Sequence, residues 1–194
     1  MKYLVVYSHP NKASFNNAIK ETVIETIEKN GHEIKVRDLY ENNFNPVLSA
    51  SDFETFLSGG TPDDIKAEQE YIKWAEKIIF ISPIWWASFP AILKGYIDKI
   101  FSYGFAYLYD ENGPVPLLTD KEGIFISTMG APNEFYKEAG FLDSFDKTQD
   151  IGILNFTGIK SGEHIFFGAV PTTTDEIRKG YLEEVTTALK KFWL

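Results

Sequence analysis

Residues 78–101 read Ile-Ile-Phe-Ile-Ser-Pro-Ile-Trp-Trp-Ala-Ser-Phe-Pro-Ala-Ile-Leu-Lys-Gly-Tyr-Ile-Asp-Lys-Ile-Phe. Ile78–Ile81 is apolar at every position, the pattern of a strand covered on both faces. The run breaks at Ser82–Phe89, a polar and aromatic loop. From Pro90 to Phe101 the period changes to that of a helix. Pro90 suits a first-turn position, and Ile92, Leu93, Tyr96, Ile97, Ile100 and Phe101 make one apolar face. A doubly covered strand that feeds a helix through a loop is the repeating unit of a parallel α/β sheet.

The same unit recurs on either side. Tyr3–Tyr7, Gly123–Ser127 and Glu163–Phe167 are further apolar strands. Phe15, Ile19, Val23 and Ile27 recur every four residues on a helix stopped by Asn30-Gly31. Asp63–Ala75, Asp143–Phe156 and Thr174–Phe192 read as the remaining helices. Residues 40–62 read as irregular, 102–121 as a long aromatic loop and Thr128–Gly140 as a second long loop. One strand differs: Ile34 and Val36 alternate with Glu33, Lys35 and Arg37, so it is half exposed. Such a strand belongs at an edge. The sheet order 2-1-3-4-5 follows, with helices on both faces and one domain over residues 1–194. This is the flavodoxin-like form of the doubly wound fold.

Composition narrows the chemistry. The chain has 194 residues, 44% hydrophobic and 15% aromatic, and no cysteine. Without cysteine there is no thiolate nucleophile, dithiol redox pair or Cys-ligated metal, so any redox activity rests on a bound cofactor. The 19 basic residues against 28 acidic ones give a formal net charge of -9. That balance opposes generic binding to nucleic acid or to an anionic membrane. No apolar run is long enough for membrane insertion, and the first strand is too short for a signal peptide, so a cytoplasmic protein is expected.

In this fold, ligands bind beyond the carboxyl ends of the strands, where the strand order reverses. Three loops meet there. The first contains His9, Ser14, Phe15 and Asn16 and opens a helix at Ser14, whose free amide groups suit a phosphate. The dipole contributes only about 0.3–1 kcal/mol at exposed sites, so side-chain donors must add to it. The same residues would serve as an ordinary cap and turn. The second loop holds Pro83, Ile84, Trp85, Trp86 and Ala87; its adjacent tryptophans cannot both enter one core, which leaves a stacking surface for a flat ligand or a protein interface. The third, Ser127-Thr128-Met129-Gly130, joins hydroxyls to a glycine that allows close backbone approach.

These segments resemble the NAD(P)H:quinone oxidoreductase family of flavodoxin-like flavoproteins, which includes the bacterial modulator-of-drug-activity proteins and the ancillary proteins of Kef potassium-efflux systems. The resemblance rests on Ser8-His9-Pro10 with Ser14-Phe15-Asn16, on Asp38-Leu39-Tyr40 with Phe44–Ser49, and on Asp64–Gln69. It is most specific over Pro83–Gly95, continuing to Tyr107, and it weakens beyond Gly140.

The resemblance implies a tightly bound flavin, FMN or FAD. His9, Ser14, Phe15 and Asn16 would hold its phosphate end, Pro83 to Ala87 would line the ring and Ser127 to Gly130 its pyrimidine edge. NAD(P)H as donor and a quinone or similar small-molecule acceptor would use the pocket in turn, in a homodimer. Where animal members pair a Tyr with a His, this chain has Tyr136 but no following His, so Tyr136 alone stands as the catalytic candidate. His32 and His164 read as structural. A flavodoxin-type one-electron carrier and a regulatory subunit of a potassium-efflux system are the alternative functions.

Overall fold

Three strands with continuous apolar centres set the frame: β1 (Lys2–Tyr7), β3 (Lys77–Pro83) and β6 (Glu122–Thr128). A computed structural model describes residues 1–192 of the chain. In it β1 pairs in parallel with β3, and β3 with β6. The alternating segment forms β2 (Glu33–Asp38), which pairs with the free side of β1 and closes that edge. The outer edge beyond β6 is shared by two short strands, β7 (Lys160–Ser161) and β8 (Ile165–Phe167), both parallel to β6. The sheet order is β2-β1-β3-β6-β7, with β8 also on β6. With β4 and β5 set aside in a separate hairpin, this is the expected 2-1-3-4-5 arrangement. The fifth strand, expected over Glu163–Phe167, is shortened to β8 and preceded by β7 in the same edge position, because Glu163 and His164 lie outside the ladder between them.

The side-chain period of two sends alternate residues to opposite faces. Leu4, Val6, Ile78, Phe80 and Phe125 pack against α3 (Asp63–Trp74) and α4 (Ala91–Ile100). Tyr3, Val5, Ile79, Ile81, Ile124 and Ile126 pack against α1 (Phe15–Lys29) and α7 (Asp175–Phe192). Each such buried side chain contributes about 1.5–3 kcal/mol, so two complete cores fix the central strands from both sides. No helix among the described residues is long and apolar enough to cross a membrane.

Three segments depart from the sequence expectation. Within 40–62, Ser49 caps a helix, α2 (Ala50–Leu57), through a reciprocal capping box with Asp52. The aromatic stretch after α4 is an antiparallel hairpin, β4 (Tyr107–Asp110) with β5 (Gly113–Pro116). After β6 the chain forms α5 (Asn133–Glu138) and α6 (Phe141–Phe145), then widens into a π-helix over Asp146–Asn155. At its end the Phe156 N–H donates to the Ile151 carbonyl, five residues back.

Two contacts anchor the helices of one face. Gly95 on α4 lies against Pro46: an added Cβ would stand 2.2 Å from the Pro46 carbonyl oxygen, so no other residue fits there. Arg37 of β2 forms a bidentate pair with Glu68 of α3 and stacks on Tyr71, and the buried Tyr96 hydroxyl of α4 donates to the same carboxylate at 3.4 Å. Burial, and then the Glu68 charge, hold the Tyr96 phenol well above its ordinary pKa, so it remains a donor. The Glu68 side chain is 6% exposed and that of Arg37 20%. Glu68→Gln leaves a half-buried guanidinium without its counter-charge. The expected loss of unfolding free energy is about 3 kcal/mol, the lower end for such pairs because Arg37 keeps one edge in water. Urea titration measures it; a loss below about 1 kcal/mol would class the pair with ordinary surface bridges.

Candidate cofactor site

The strands β1, β3 and β6 end side by side, and the loops leaving them are tied together. The Ile84 N–H donates to the Thr128 carbonyl at 2.8 Å, joining the second loop to the third. Asn16 Nδ2 donates to Thr128 Oγ1 at 2.7 Å, joining the first helix to the third loop. The His9 ring meets Trp85 edge-on with centroids 6.1 Å apart. The Met129 N–H donates to the Phe167 carbonyl at 2.8 Å, and the Val170 N–H to the Met129 carbonyl at 3.1 Å, which adds the end of β8. Together these segments enclose a cleft of about 550 Å³.

Of the residues singled out in the sequence, His9, Ser14, Phe15, Asn16, Pro83, Ile84, Trp85, Trp86, Thr128, Met129, Gly130 and Tyr136 line this cleft. Ala87 and Ser127 do not. Ala87 is exposed in the turn beside the cleft. Ser127 is fully buried and bonds His164 on the opposite face of β6, because neighbouring residues of a strand cannot share a face. Asn11, Val170 and Pro171 line the cleft and were missed. Val170 and Pro171 follow the fifth strand, whose carboxyl end opens on the same side as the others; that rule of parallel sheets was the available signal. Tyr103, Phe105 and Tyr107, from the stretch read as a long aromatic loop, line a different cavity of about 1100 Å³, bounded by Phe53, Leu57 and Lys121.

The first loop is shaped by Asn11. Its Oδ1 accepts from the Ala13 N–H at 2.8 Å, and its carbonyl from the Ser14 N–H at 3.1 Å. Ser14 then caps α1, accepting from the Asn17 N–H at 3.2 Å. The first-turn amides of Phe15 and Asn16 have no acceptor within the helix. The Asn11 N–H donates to His9 Nδ1 at 3.1 Å, so a neutral His9 carries its proton on Nε2 as a donor. Burial pushes His9 below its ordinary pKa, which favours that neutral form.

Asn16 is 3% exposed, and its Oδ1 has no hydrogen-bond partner among the described residues. An unpaired buried acceptor costs about 1–3 kcal/mol. Thr128 Oγ1, accepting from Asn16, keeps its own proton to donate. The cleft thus offers donors from the first loop and α1, the orphaned acceptor of Asn16 and the apolar and aromatic side chains of Ile84, Trp85 and Met129. That set fits a flavin, whose phosphate, polyol and flat ring need those three kinds of partner. No Asp, Glu, Lys or Arg lines it.

The second loop is strained. Trp85 and Ser88 exchange backbone hydrogen bonds of 2.9 and 3.1 Å across a two-residue turn. Its central residues, Trp86 and Ala87, have φ of 51° and 55°. A turn with both central residues left-handed is ordinarily built from Asn and Gly. Here it holds the Trp86 indole fully in solvent at the lip of the cleft. Tyr136, on α5, packs on Phe141 and Phe145, and its hydroxyl has no hydrogen-bond partner among the described residues. The loop that carries α5 comes so close to β8 that a Cβ on Gly168 would lie 2.5 Å from the Asn133 amide nitrogen.

Comparison with known proteins agrees with this geometry. A family model described as "Flavodoxin-like fold" matches residues 1–189. The chain is 38% identical to an uncharacterized NAD(P)H oxidoreductase of Haemophilus influenzae over 94% of this chain and 91% of that protein. It is 30% identical to NAD(P)H dehydrogenase [quinone] 1 of Rattus norvegicus, covering 98% and 77% of the two chains. The solved structure of the NAD(P)H:quinone oxidoreductase from Methanothermobacter marburgensis superposes with a TM-score of 0.89 at 29% identity, over 97% of this chain and 96% of that one. With its strand order, its cleft at the switch point and its full-length relatives in agreement, the chain belongs to the flavodoxin-like family of NAD(P)H:quinone oxidoreductases.

Proposed function

We propose that the chain is a flavin-dependent NAD(P)H oxidoreductase that reduces quinones or similar acceptors by two-electron transfer, donor and acceptor entering one cleft in turn. The observation that carries this reading is the uncharged, aromatic cleft that joins the ends of β1, β3 and β6. The bound flavin, FMN or FAD, supplies the capacity to take a hydride from NAD(P)H and deliver two electrons to the acceptor. The residues supply position. His9 Nε2, the Ser14 hydroxyl and the Phe15 and Asn16 amides face a phosphate with donors only. Asn16 Oδ1 would accept from a hydroxyl of the bound group, and the Thr128 hydroxyl proton would be free to donate to it. Ile84, Trp85 and Met129 would pack against the ring, with Tyr136 as a further wall. A volume of about 550 Å³ lies within the usual range of about 300–1,000 Å³ for one small-molecule site. Alternating use by the two substrates suits that size.

The purified protein is expected to carry flavin absorption, to be bleached by NAD(P)H and to recover on adding a soluble quinone. Its double-reciprocal rate plots should be parallel. No bound flavin, together with no turnover after adding FMN or FAD, would sink this reading.

The strained turn gives a second test. Replacing Trp86 with Asn and Ala87 with Gly suits the left-handed backbone and should raise unfolding free energy by about 1 kcal/mol. The same variant should lose flavin or nicotinamide affinity with the indole. A gain in stability with unchanged affinities would assign Trp86 to an interface instead.

A homodimer fits the second cavity, where Phe53, Leu57 and Tyr103 stand 53%, 87% and 62% exposed. Leu57→Asp should shift the species seen by sedimentation towards a monomer. A wild-type chain that sediments as a monomer at micromolar concentration would overturn the dimer.

A further inference from the structure

Behind the cleft, on the other face of β6, lies a buried chain of three side chains that the mechanism above does not use. Ser127 Oγ stands 3.0 Å from His164 Nε2, and His164 Nδ1 stands 2.8 Å from Asp150 Oδ2. Ser127 is completely buried, and the Asp150 and His164 side chains are 3% and 7% exposed. His164 is stacked on Phe166 with centroids 3.9 Å apart and tilted against Phe125 at 5.3 Å. The order Ser–His–carboxylate is that of a hydrolase triad. A nucleophile, however, needs substrate access, and this serine has none.

The proton inventory assigns another task. The Asp150 carboxylate at Nδ1 fixes the imidazole proton there, which leaves Nε2 as an acceptor. Ser127 therefore donates its hydroxyl proton to His164. Ser127 is followed directly by Thr128, Met129 and Gly130, which wall the cleft, and Thr128 in turn holds Asn16 and the Ile84 amide. Asp150 comes from the π-helix and His164 from the residue just before β8, so one chain of hydrogen bonds links these segments to the carboxyl end of β6. Breaking it would leave a buried hydroxyl without an acceptor.

We propose that His164, clamped by Asp150, is a positioning residue for the ring end of the cofactor cleft, acting through the Ser127 hydroxyl on the carboxyl end of β6. This inference rests on the flavin reading above.

The test is a double-mutant cycle on flavin affinity, measured by quenching of FMN and FAD fluorescence on the flavin-stripped protein. His164→Ala and Ser127→Ala should each weaken binding about tenfold, the value of one well-made hydrogen bond. The double variant should be no weaker than either single one, because both remove the same link. His164→Gln, which can offer an acceptor near the position of Nε2, should recover most of the loss. Independently of flavin, nitrogen NMR of the stripped protein should show His164 protonated at Nδ1, and Asp150→Asn should release that tautomer. Unchanged affinity in the single variants, additive losses, or an Nε2-protonated His164 would each overturn the inference. If His164→Ala fails to fold, the Ser127→Ala affinity and the tautomer decide it. A wild-type protein that binds neither flavin overturns the cofactor reading itself, while the tautomer still reports on the hydrogen-bond chain.

Discussion

Everything in this molecule depends on three parallel strands that are apolar on both faces and end at the same level. Over Tyr3–Tyr7, Ile78–Ile81 and Ile124–Ile126 every side chain belongs to one of two cores. Polar side chains enter at the strand ends, outside these apolar centres. They do so together: Tyr7 gives way to Ser8, Ile81 to Ser82 and Ile126 to Ser127, and Ser82 is the register partner of Ser127. A slip of one residue would exchange the two faces of a whole strand, so the register is held by both cores at once. The loops therefore emerge abreast, and a cleft between them follows from the packing without any special device.

That constraint explains what could be read from the sequence. Continuous apolar runs marked the central strands, and the alternation of Ile34 and Val36 marked the edge, so the order of the sheet was legible. The three site loops were legible because each follows an apolar run. The hairpin was hidden by Pro114 and Pro116, which argue against a strand everywhere except at an edge. The split fifth strand was hidden because Lys160-Ser161 is too short to show a period. The π-helix has no local signature: a helical stretch was legible, but not its wider turn.

His164 shows the limit most clearly. As a lone histidine beside a strand it read as structural. Its partners lie 14 and 37 residues away in the chain, at Asp150 and Ser127. No window of sequence holds all three. Strand parity did hold half of the answer. Phe125 and Ser127 must share a face, and Thr128 must take the other, so only one of Ser127 and Thr128 could meet Asn16 on α1. Counting in twos from the core separates the residue that lines the cleft from the residue that supports it.

Charge completes the argument. With 28 acidic residues in the chain, a cleft with no acidic lining is a selected arrangement. At physiological salt, exposed charges are largely screened beyond about 8 Å. The net charge of -9 then matters less to an incoming anion than the cleft wall itself. That wall offers oriented N–H and O–H dipoles from α1, His9 and Ser14 in place of a lysine or arginine. A cation there would be costly to bury beside Trp85, Ile84 and Met129, and would keep water in the cavity to solvate it. Neutral donors avoid that conflict: on the proposed reading, a phosphate end and an apolar ring end would share one cleft because the anion would be held by dipoles fixed by the backbone of the fold.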